Sequence, residues 1–455
     1  MTIPRNTRHL AVAFALLGDT VVLAAAGDFD SSYNRLGFTR EVIAEASRSF
    51  GLAIYPTGEI VSSGFYFDAS MQSHAVVWRH LPDGSLDETF GDSGVAFPTW
   101  APSSQFAETS VAIDNQNRIV IVTPMPTSHL VHRLNFDGSV DSSFSGTGST
   151  NVPLGQSVLA IAGVAIQPDD QIVGAGGAIN PGSGRSEFVV YRLQEDGQLD
   201  PNFGGTGLVY TQMTAGGGID RATAVALQPD GKIVAAGRAR TLQPDSFFDV
   251  AVARYSPTGV LDAGFGINGR VIFSVLDDDF GRKVVIQPDG KIVVAGSFCV
   301  GPSSDNYCYL GVSRVDDQGM LDLSFGGTGA VYTDVGDQGG FAYDLALGSD
   351  DKIVVVGAHQ LRLDFSVANS ILVRHLPDGS LDPMFGVDGI SETNYGYSTS
   401  SAGAVRIQSD GQIVVSGSTS RTGGSTSNAV VARYLGSADG NGARGASERT
   451  PSPVP

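Results

Sequence analysis

A segment of about 60 residues recurs along the chain, and this repeat constrains the fold more than any other feature. Its clearest copies read VVIQPDGKIVVAG around Ile286 and AVALQPDGKIVAAG around Leu227. The corresponding residues of successive copies are 59, 53, 61, 59, 61 and 60 positions apart, and they are Ile54, Ile113, Ile166, Leu227, Ile286, Leu347 and Ile407. Such regular spacing predicts seven copies of one structural unit, because unrelated domains share no common period.

Each copy has the pattern of four short strands. In the copy around Leu227 they are TAVALQ, KIVAAG, VAVARY and a final strand after a glycine-rich turn, and a Pro-Asp-Gly turn joins the first two. Asp-Gly dipeptides supply the positive φ angles that tight hairpins need. Four antiparallel strands per repeat are typical of a propeller blade. We therefore predict an all-β fold, a seven-bladed β-propeller of four-stranded antiparallel blades, over residues 27–440.

An arginine precedes the second turn of every copy, and an aspartate follows that turn. The arginines are Arg79, Arg133, Arg192, Arg254, Arg314, Arg374 and Arg433, and the aspartates are Asp87, Asp141, Asp200, Asp262, Asp322 and Asp382. The last copy lacks its aspartate, but Asp30 near the N-terminus has matching neighbours in the segment DFDSSYNRLG. We therefore expect an N-terminal strand to complete the last blade and close the ring. Because the pair recurs in every copy, we interpret it as structural, either an ion pair or a contact with turn backbone.

The segments LPDGSLDETFGDSG and IQPDGKIVVAG together resemble the delta-60 repeat family of β-propellers, and the resemblance extends from residue 28 to about residue 440. It implies the propeller fold and frequent occurrence in exported bacterial proteins. It implies no general activity and no catalytic residues. The second copy departs most from the pattern, because IDNQNRIVIVT lacks both the turn glycine and the closing glycine.

The N-terminus has the features of a secretory signal. Arg5 and Arg8 precede an apolar run, and Ala24 and Ala26 have the spacing of a signal peptidase site. We predict that residues 1–26 are a signal peptide and that the protein is exported to the periplasm, the cell envelope or the exterior. Residues 441–455 contain few apolar side chains, so we expect a disordered C-terminal tail.

The chain has two cysteines, Cys299 and Cys308, which flank a predicted hairpin loop. A disulfide across the hairpin fits this placement and would persist only in an oxidising compartment. The alternative is two free thiols in a cytosolic protein.

The formal net charge of −19 argues against nucleic acid and anionic membranes as partners, since both attract positive surfaces. Aspartates in the many turns also account for much of the acidity. We expect no nucleic-acid partner, no membrane insertion and a monomeric protein. The histidines His80, His132 and His375 are expected at the surface or at strand ends.

Function is sought where the copies differ. Lys283, Asp344 and Arg406 place charges on first strands, where most other copies have small residues. First strands are expected to line the propeller channel, so these residues are either binding residues or charges solvated at strand ends. The loops between the second and third strands vary most, and together they form a second candidate binding surface.

The sequence has no nucleophile elbow, zinc-protease helix or phosphate-binding loop. No cofactor is expected, and the only metal considered is calcium at Asp277, Asp278 and Asp279 or near Asp305, since calcium prefers clustered oxygen ligands. The leading hypothesis is an exported non-enzymatic propeller that binds a protein or a carbohydrate. The alternative is a secreted hydrolase or lyase that acts on a polysaccharide at the channel mouth. Carboxylates, histidines or tyrosines converging from several blades would favour the enzyme.

Overall fold

A computed structural model describes residues 24–41, 46–68, 70, 72–98, 108–156, 162–214, 216–241, 247–301, 307–336, 338–361, 367–421 and 427–437. Throughout these ranges the regular secondary structure is β-strand. Nowhere in them is there a helix long and apolar enough to cross a membrane. The predicted all-β class is confirmed.

The strands pair as antiparallel sheets of four. The first three sheets consist of β2 (Ala46–Ile54), β3 (Ile60–Phe67), β4 (Ser73–His80) and β5 (Val95–Ala96); β6 (Ser110–Ile113), β7 (Ile119–Met125), β8 (Ser128–Leu134) and β9 (Ser149–Pro153); and β10 (Gly163–Ile166), β11 (Ile172–Ile179), β12 (Ser186–Leu193) and β13 (Leu208–Thr211). The next sheets consist of β14 (Gly218–Leu227), β15 (Ile233–Thr241), β16 (Asp249–Tyr255) and β17 (Arg270–Phe273); and β18 (Asp278–Ile286), β19 (Ile292–Val300), β20 (Tyr307–Val315) and β21 (Ala330–Thr333). The last sheets consist of β22 (Gly340–Leu347), β23 (Ile353–Gln360), β24 (Ala368–His375) and β25 (Ile390–Thr393); and β26 (Thr399–Ile407), β27 (Ile413–Ser420), β28 (Ser427–Tyr434) and the N-terminal β1 (Phe38–Glu41).

Single parallel bridges also link neighbouring sheets, between Ser186 and Ile219, between Ala368 and Thr399, and between Cys308 and Gly339. Each bridge joins the third strand of one sheet to the start of the first strand of the next, or to the residue directly before it. The four-stranded antiparallel sheet is thus the repeating unit.

The core lies between neighbouring sheets. Val234 and Val252 of one sheet form a buried cluster with Val284 and Val294 of the next. Strands that are covered on both faces have apolar residues on both faces, which explains why the IVVAG-type segments do not alternate with polar residues.

The N-terminal segment is hydrogen-bonded to the last strand of the repeat region. Phe38 of β1 pairs with Ala432 of β28, and the Gly27 amide donates to the Leu435 carbonyl at 2.8 Å. The Phe29 ring packs 5.0 Å from the Tyr434 ring, centroid to centroid. Strand β1 therefore occupies the outer position that the fourth strand has in the other sheets.

Asn117 replaces the turn glycine in the second copy. It adopts a positive φ of 62°, which asparagine tolerates better than most residues. The Asp114 carboxylate accepts hydrogen bonds from the Gln116 and Arg118 amides across this turn. The β6–β7 hairpin thus forms despite the departure from the repeat.

Candidate functional site

A cavity of about 300 Å³ is bounded mainly by the first strands of the sheets, and we call it the inner cavity. Strands β2, β6, β14, β18, β22 and β26 contribute to its wall, together with residues at β10 and just before β6. The lining residues are Arg48, Ser49, Phe50, Gly51, Leu52, Glu108, Thr109, Ser110, Val111, Ala162, Val164, Thr223, Arg282, Lys283, Tyr343, Asp344, Ser401, Gly403, Ala404, Arg406 and Ser418.

A β-bulge in the first strand determines which side chains reach the inner cavity. In five first strands one residue has no partner in the strand register, and these residues are Phe50, Thr223, Arg282, Tyr343 and Gly403. All five line the cavity. Because a bulge interrupts the alternation of faces, adjacent residues such as Arg282 and Lys283 both contribute to the wall.

The closing glycine of the IVVAG motif makes room for this bulge. Gly296 pairs with Gly281 immediately before Arg282, and Gly357 pairs with Ala342 in the same way. A Cβ at either glycine would clash with a carbonyl oxygen of the neighbouring first strand. In the second sheet Thr123 takes this place, and the described part of β6 pairs with β7 without a register shift.

The three charged residues singled out in the sequence lie together in the inner cavity. The Asp344 carboxylate lies 3.0 Å from Nη1 of Arg406 and 3.5 Å from Nζ of Lys283. It also accepts a hydrogen bond from the Val405 amide at 3.0 Å. Burial lowers the pKa of Lys283, and Arg406 lowers it further, although Asp344 acts in the opposite direction. Asp344 thus links the first strands of three successive sheets.

A second charged group contains residues that the sequence did not single out. Glu108 Oε2 lies 3.7 Å from Nη1 of Arg282, and the Arg282 guanidinium lies 5.6 Å from the centre of the Tyr343 ring. Burial raises the pKa of Glu108, and the charge of Arg282 offsets this only in part. Burial also raises the pKa of Tyr343 and lowers that of Arg48, which lines the same cavity.

The inner cavity carries more positive than negative charge. Its wall contains four cationic side chains, Arg48, Arg282, Lys283 and Arg406, and two carboxylates, Glu108 and Asp344. The formal net charge of the chain is −19, so the cavity has the opposite sign to the molecule as a whole. A cleft with an excess of one sign of charge raises the local concentration of the opposite ion. The arrangement is suited to an anionic ligand.

The recurring arginines and aspartates lie outside this wall and contact each other. The shortest nitrogen-to-oxygen distances are 2.6–2.9 Å in all seven pairs, including Arg433 with Asp30. Each arginine also donates to a turn carbonyl of the next sheet, as Arg254 does to Asp317 at 2.8 Å. Arg433 donates to the Pro82 carbonyl of the first sheet at 2.5 Å. The same side chain thus contacts its own sheet and the neighbouring one.

The two cysteines, Cys299 and Cys308, form a disulfide in the structure. They lie directly opposite each other on β19 and β20.

The aspartates considered for calcium bind different backbone groups. Asp277 accepts from the Gly301 amide, Asp278 from the Phe248 amide and Asp279 from the Val275 and Leu276 amides. Asp305 lies outside the described residues. Among those described, no group of three or more potential metal ligands is found.

His80 and His375 lie at strand ends, as expected, since they are the last residues of β4 and β24, whereas His132 lies within β8; the expectation of surface placement is wrong for all three. All three are buried, with at most 2% of their surface exposed. Burial lowers the pKa of His132 and of His375 to about 4. His80 and His375 directly follow a recurring arginine and His132 directly precedes one, on third strands that are covered on both faces, so the charged neighbour in the sequence conceals their burial.

The variable loops between the second and third strands are described only in part. Residues 242–246, 302–306, 362–366 and 422–426 lie outside the described ranges. The start of β14 pairs with the end of β15, since Gly218 lies opposite Thr241. These loops therefore leave the sheets at the end where the first strands begin.

Five copies of the repeat match the family described as "Domain of unknown function (DUF5122) beta-propeller", at residues 167–203, 228–265, 287–325, 348–385 and 408–434. No curated protein sequence matches the chain.

Several solved structures are similar in fold. A protein of unknown function from Dyadobacter fermentans has 11% identity and a TM-score of 0.42 and covers 88% of this chain and 99% of its own. The α-L-arabinofuranosidase of Fusarium graminearum, solved with arabinobiose, has 11% identity and a TM-score of 0.41, with coverage of 71% and 92%. The β-propeller domain of the Trilobed protease from Pyrococcus furiosus has 10% identity and a TM-score of 0.40, with coverage of 84% and 92%. Together with the family match and the four-stranded sheets, the repeats identify this chain as a β-propeller protein similar to that family of unknown function.

Proposed function

We propose that this protein is an exported, non-enzymatic β-propeller that binds an acidic carbohydrate in its inner cavity. The observation that carries the proposal is the group of four cationic side chains in the wall of a cavity within an acidic protein. A uronic acid combines a carboxylate, which arginine can bind in bidentate fashion, with hydroxyl groups suited to the serines and threonines of the wall. The variable loops would form the rim through which the ligand enters.

We further propose that the four-stranded sheets are the blades of a seven-bladed ring closed by β1. The pairing of β1 with β28 supports this closure, as does the hydrogen bond from Arg433 to the first sheet. The Ala429 amide of β28 also donates to the Ser47 hydroxyl of β2 at 3.1 Å. The ring places all first strands around one axis, which accounts for a cavity with contributions from every sheet.

Export is supported by two independent features. The N-terminal segment has the sequence pattern of a signal peptide, and the paired cysteines suit an oxidising compartment. Residues 1–23 and 438–455 lie outside the described ranges, so the signal peptide and the tail stay predictions.

The binding proposal is tested by calorimetric titration of the purified protein with galacturonic acid and with galactose. We expect the acid to bind and the neutral sugar not to bind. Arg282→Gln and Arg406→Gln each remove one charge from the cavity, and each should weaken binding about tenfold, as expected for the loss of one charge-assisted hydrogen bond. Arg185→Gln changes an exposed arginine outside the cavity and should have no effect. Equal binding of both sugars, or no binding at all, would refute the proposal.

A second candidate function is a lyase that acts on the same class of ligand. Glu108 and Tyr343, both beside Arg282, favour it, since they come from different sheets and meet in the inner cavity. Arg282 would bind the uronate carboxylate, Glu108 would take the proton from the adjacent carbon, and Tyr343 would protonate the departing glycosidic oxygen as a carbon–carbon double bond forms. The unsaturated product absorbs ultraviolet light. Product formed by the wild type but not by Glu108→Gln would favour this function over simple binding.

A further inference from the structure

A second cationic group, made of Arg221, Arg238 and Arg240, lies beside the inner cavity and takes no part in the site described above. The three guanidinium carbons lie 6.0, 4.7 and 4.8 Å from the centre of the Phe248 ring. Arg221 and Arg238 are directly opposite each other on β14 and β15, and Arg240 follows on the same face of β15. We call these three residues the arginine cluster.

None of the three side chains of the arginine cluster forms an ion pair within the described part of the chain. The Nε atoms of Arg221 and Arg238 are buried without a hydrogen-bond partner. Burial, together with the charges of Arg221 and Arg282, lowers the pKa of Arg238 to about 10, whereas Asp278 acts in the opposite direction. Like charges that are partly withdrawn from solvent in this way are costly unless an anion neutralises them.

The arginine cluster is linked to the wall of the inner cavity through strand β18. Arg238 also stacks on Phe280 of the next sheet, 4.7 Å from the ring centre, and Arg282 of the cavity wall follows Phe280 by two residues on β18. The charge of Arg282 lowers the pKa of Arg238, which agrees with this placement of the two cationic groups side by side. Two adjacent groups of this kind would suit two carboxylates carried by one molecule.

We propose that the arginine cluster is a second carboxylate subsite and that the ligand is an oligouronate, bound with one sugar acid in the inner cavity and another at the cluster. This inference rests on the proposed binding function, because it assigns the length of the same ligand. Phe248 supports the three guanidinium groups from one side, which leaves their hydrogen-bonding edges for the carboxylate.

The test compares calorimetric titrations with galacturonic acid, trigalacturonic acid, maltotriose and inorganic phosphate. We expect the acidic trimer to bind at least about tenfold more tightly than the monomer, and maltotriose not to bind. Arg240→Gln should remove the advantage of the trimer and leave monomer binding unchanged. Arg221→Gln provides a second variant at the same site, and Arg185→Gln is the matched control. Thermal unfolding of each variant shows that it is folded.

The outcomes separate the two proposals. If the monomer binds but the trimer binds no more tightly, the second subsite is wrong and the cavity site stands. Equal weakening of monomer and trimer by Arg240→Gln would likewise overturn it. Phosphate that binds as tightly as the trimer, and loses affinity in Arg240→Gln, would assign the cluster to phosphate instead of a sugar acid. Absence of binding by both uronates overturns both proposals.

Discussion

Replacing Arg254 with methionine tests whether the recurring arginines hold neighbouring sheets together. Arg254 Nε lies 2.9 Å from Asp262, Nη1 donates to the Asp317 carbonyl at 2.8 Å, and the guanidinium lies 4.4 Å from the centre of the Phe265 ring. Methionine retains the apolar stem of the side chain and removes these three contacts. The effect therefore measures the guanidinium rather than the loss of packing.

The expected magnitude follows from burial. Removing one partner of a fully buried ion pair costs about 3–5 kcal/mol. Asp262 is 20% exposed and keeps a second cation, Lys232, 3.7 Å away, so its charge stays partly compensated. We therefore expect Arg254→Met to lower the free energy of unfolding by about 2–4 kcal/mol, below the fully buried limit.

The assay is denaturant unfolding followed by circular dichroism, with Arg185→Met as the matched control. The control changes an exposed arginine and should alter stability by less than about 0.5 kcal/mol. A double-mutant cycle with Asp262→Asn separates the ion pair from the bond to the next sheet. If Arg254→Met is no less stable than the control, the structural role assigned to the arginines is wrong.

Three further predictions concern other parts of the fold. Replacing Cys299 and Cys308 with serine should lower the free energy of unfolding by about 2–3 kcal/mol, which is the loop-closure value for so short a loop. In denaturant titrations a reducing agent should destabilise the wild type and have no effect on the serine variant. The unfolding free energies of His132→Phe and the wild type should be compared from pH 7 to pH 4. Burial lowers the pKa of His132 from 6.5 to about 4, so the wild type loses stability as the pH falls through this window, whereas the variant does not lose this contribution. A difference in stability that does not change with pH would contradict a buried neutral histidine. Deleting residues 28–41 removes β1 and should lower the thermal unfolding temperature and increase protease sensitivity. Deleting residues 441–455 is the control and should change neither property. Equal stability of the two truncated proteins would show that β1 does not close the ring.

The repeat predicted the secondary structure because its signals are local. Hairpin turns are specified by Asp-Gly pairs within a few residues, and strands buried on both faces need continuous apolar segments. The all-β class and the four-stranded antiparallel sheets could therefore be predicted without tertiary information. The same alignment of copies predicted that Asp30 takes the place of the missing partner of Arg433, and the two residues, 403 positions apart, are in contact.

The candidate site could be predicted only in part. Lys283, Asp344 and Arg406 stand out because their charges depart from the other copies. Arg282 and Tyr343 did not stand out, because each directly precedes a residue expected to face the channel, Lys283 or Asp344. Successive residues of a regular strand point to opposite faces, so Arg282 and Tyr343 would be expected to point away from the channel. Their signal was present in the closing glycine, which lies beside the bulge in the five sheets that have one. The reason for this glycine is the carbonyl oxygen of the first strand that a Cβ would meet, and only the tertiary structure shows that contact.

The sequence by itself determined the repeating unit, since a period of about 60 residues and local turn chemistry require no knowledge of distant contacts. Only the tertiary structure decided which charged residues meet. Asp344, Lys283 and Arg406 lie on three first strands about 60 positions apart, and the convergence of those strands places opposite charges within 3.0–3.5 Å. It also places Arg282 near both Glu108 and the arginine cluster, because packing of successive sheets brings together residues that no local pattern relates. The inner cavity and its positive charge are thus properties of the assembled sheets.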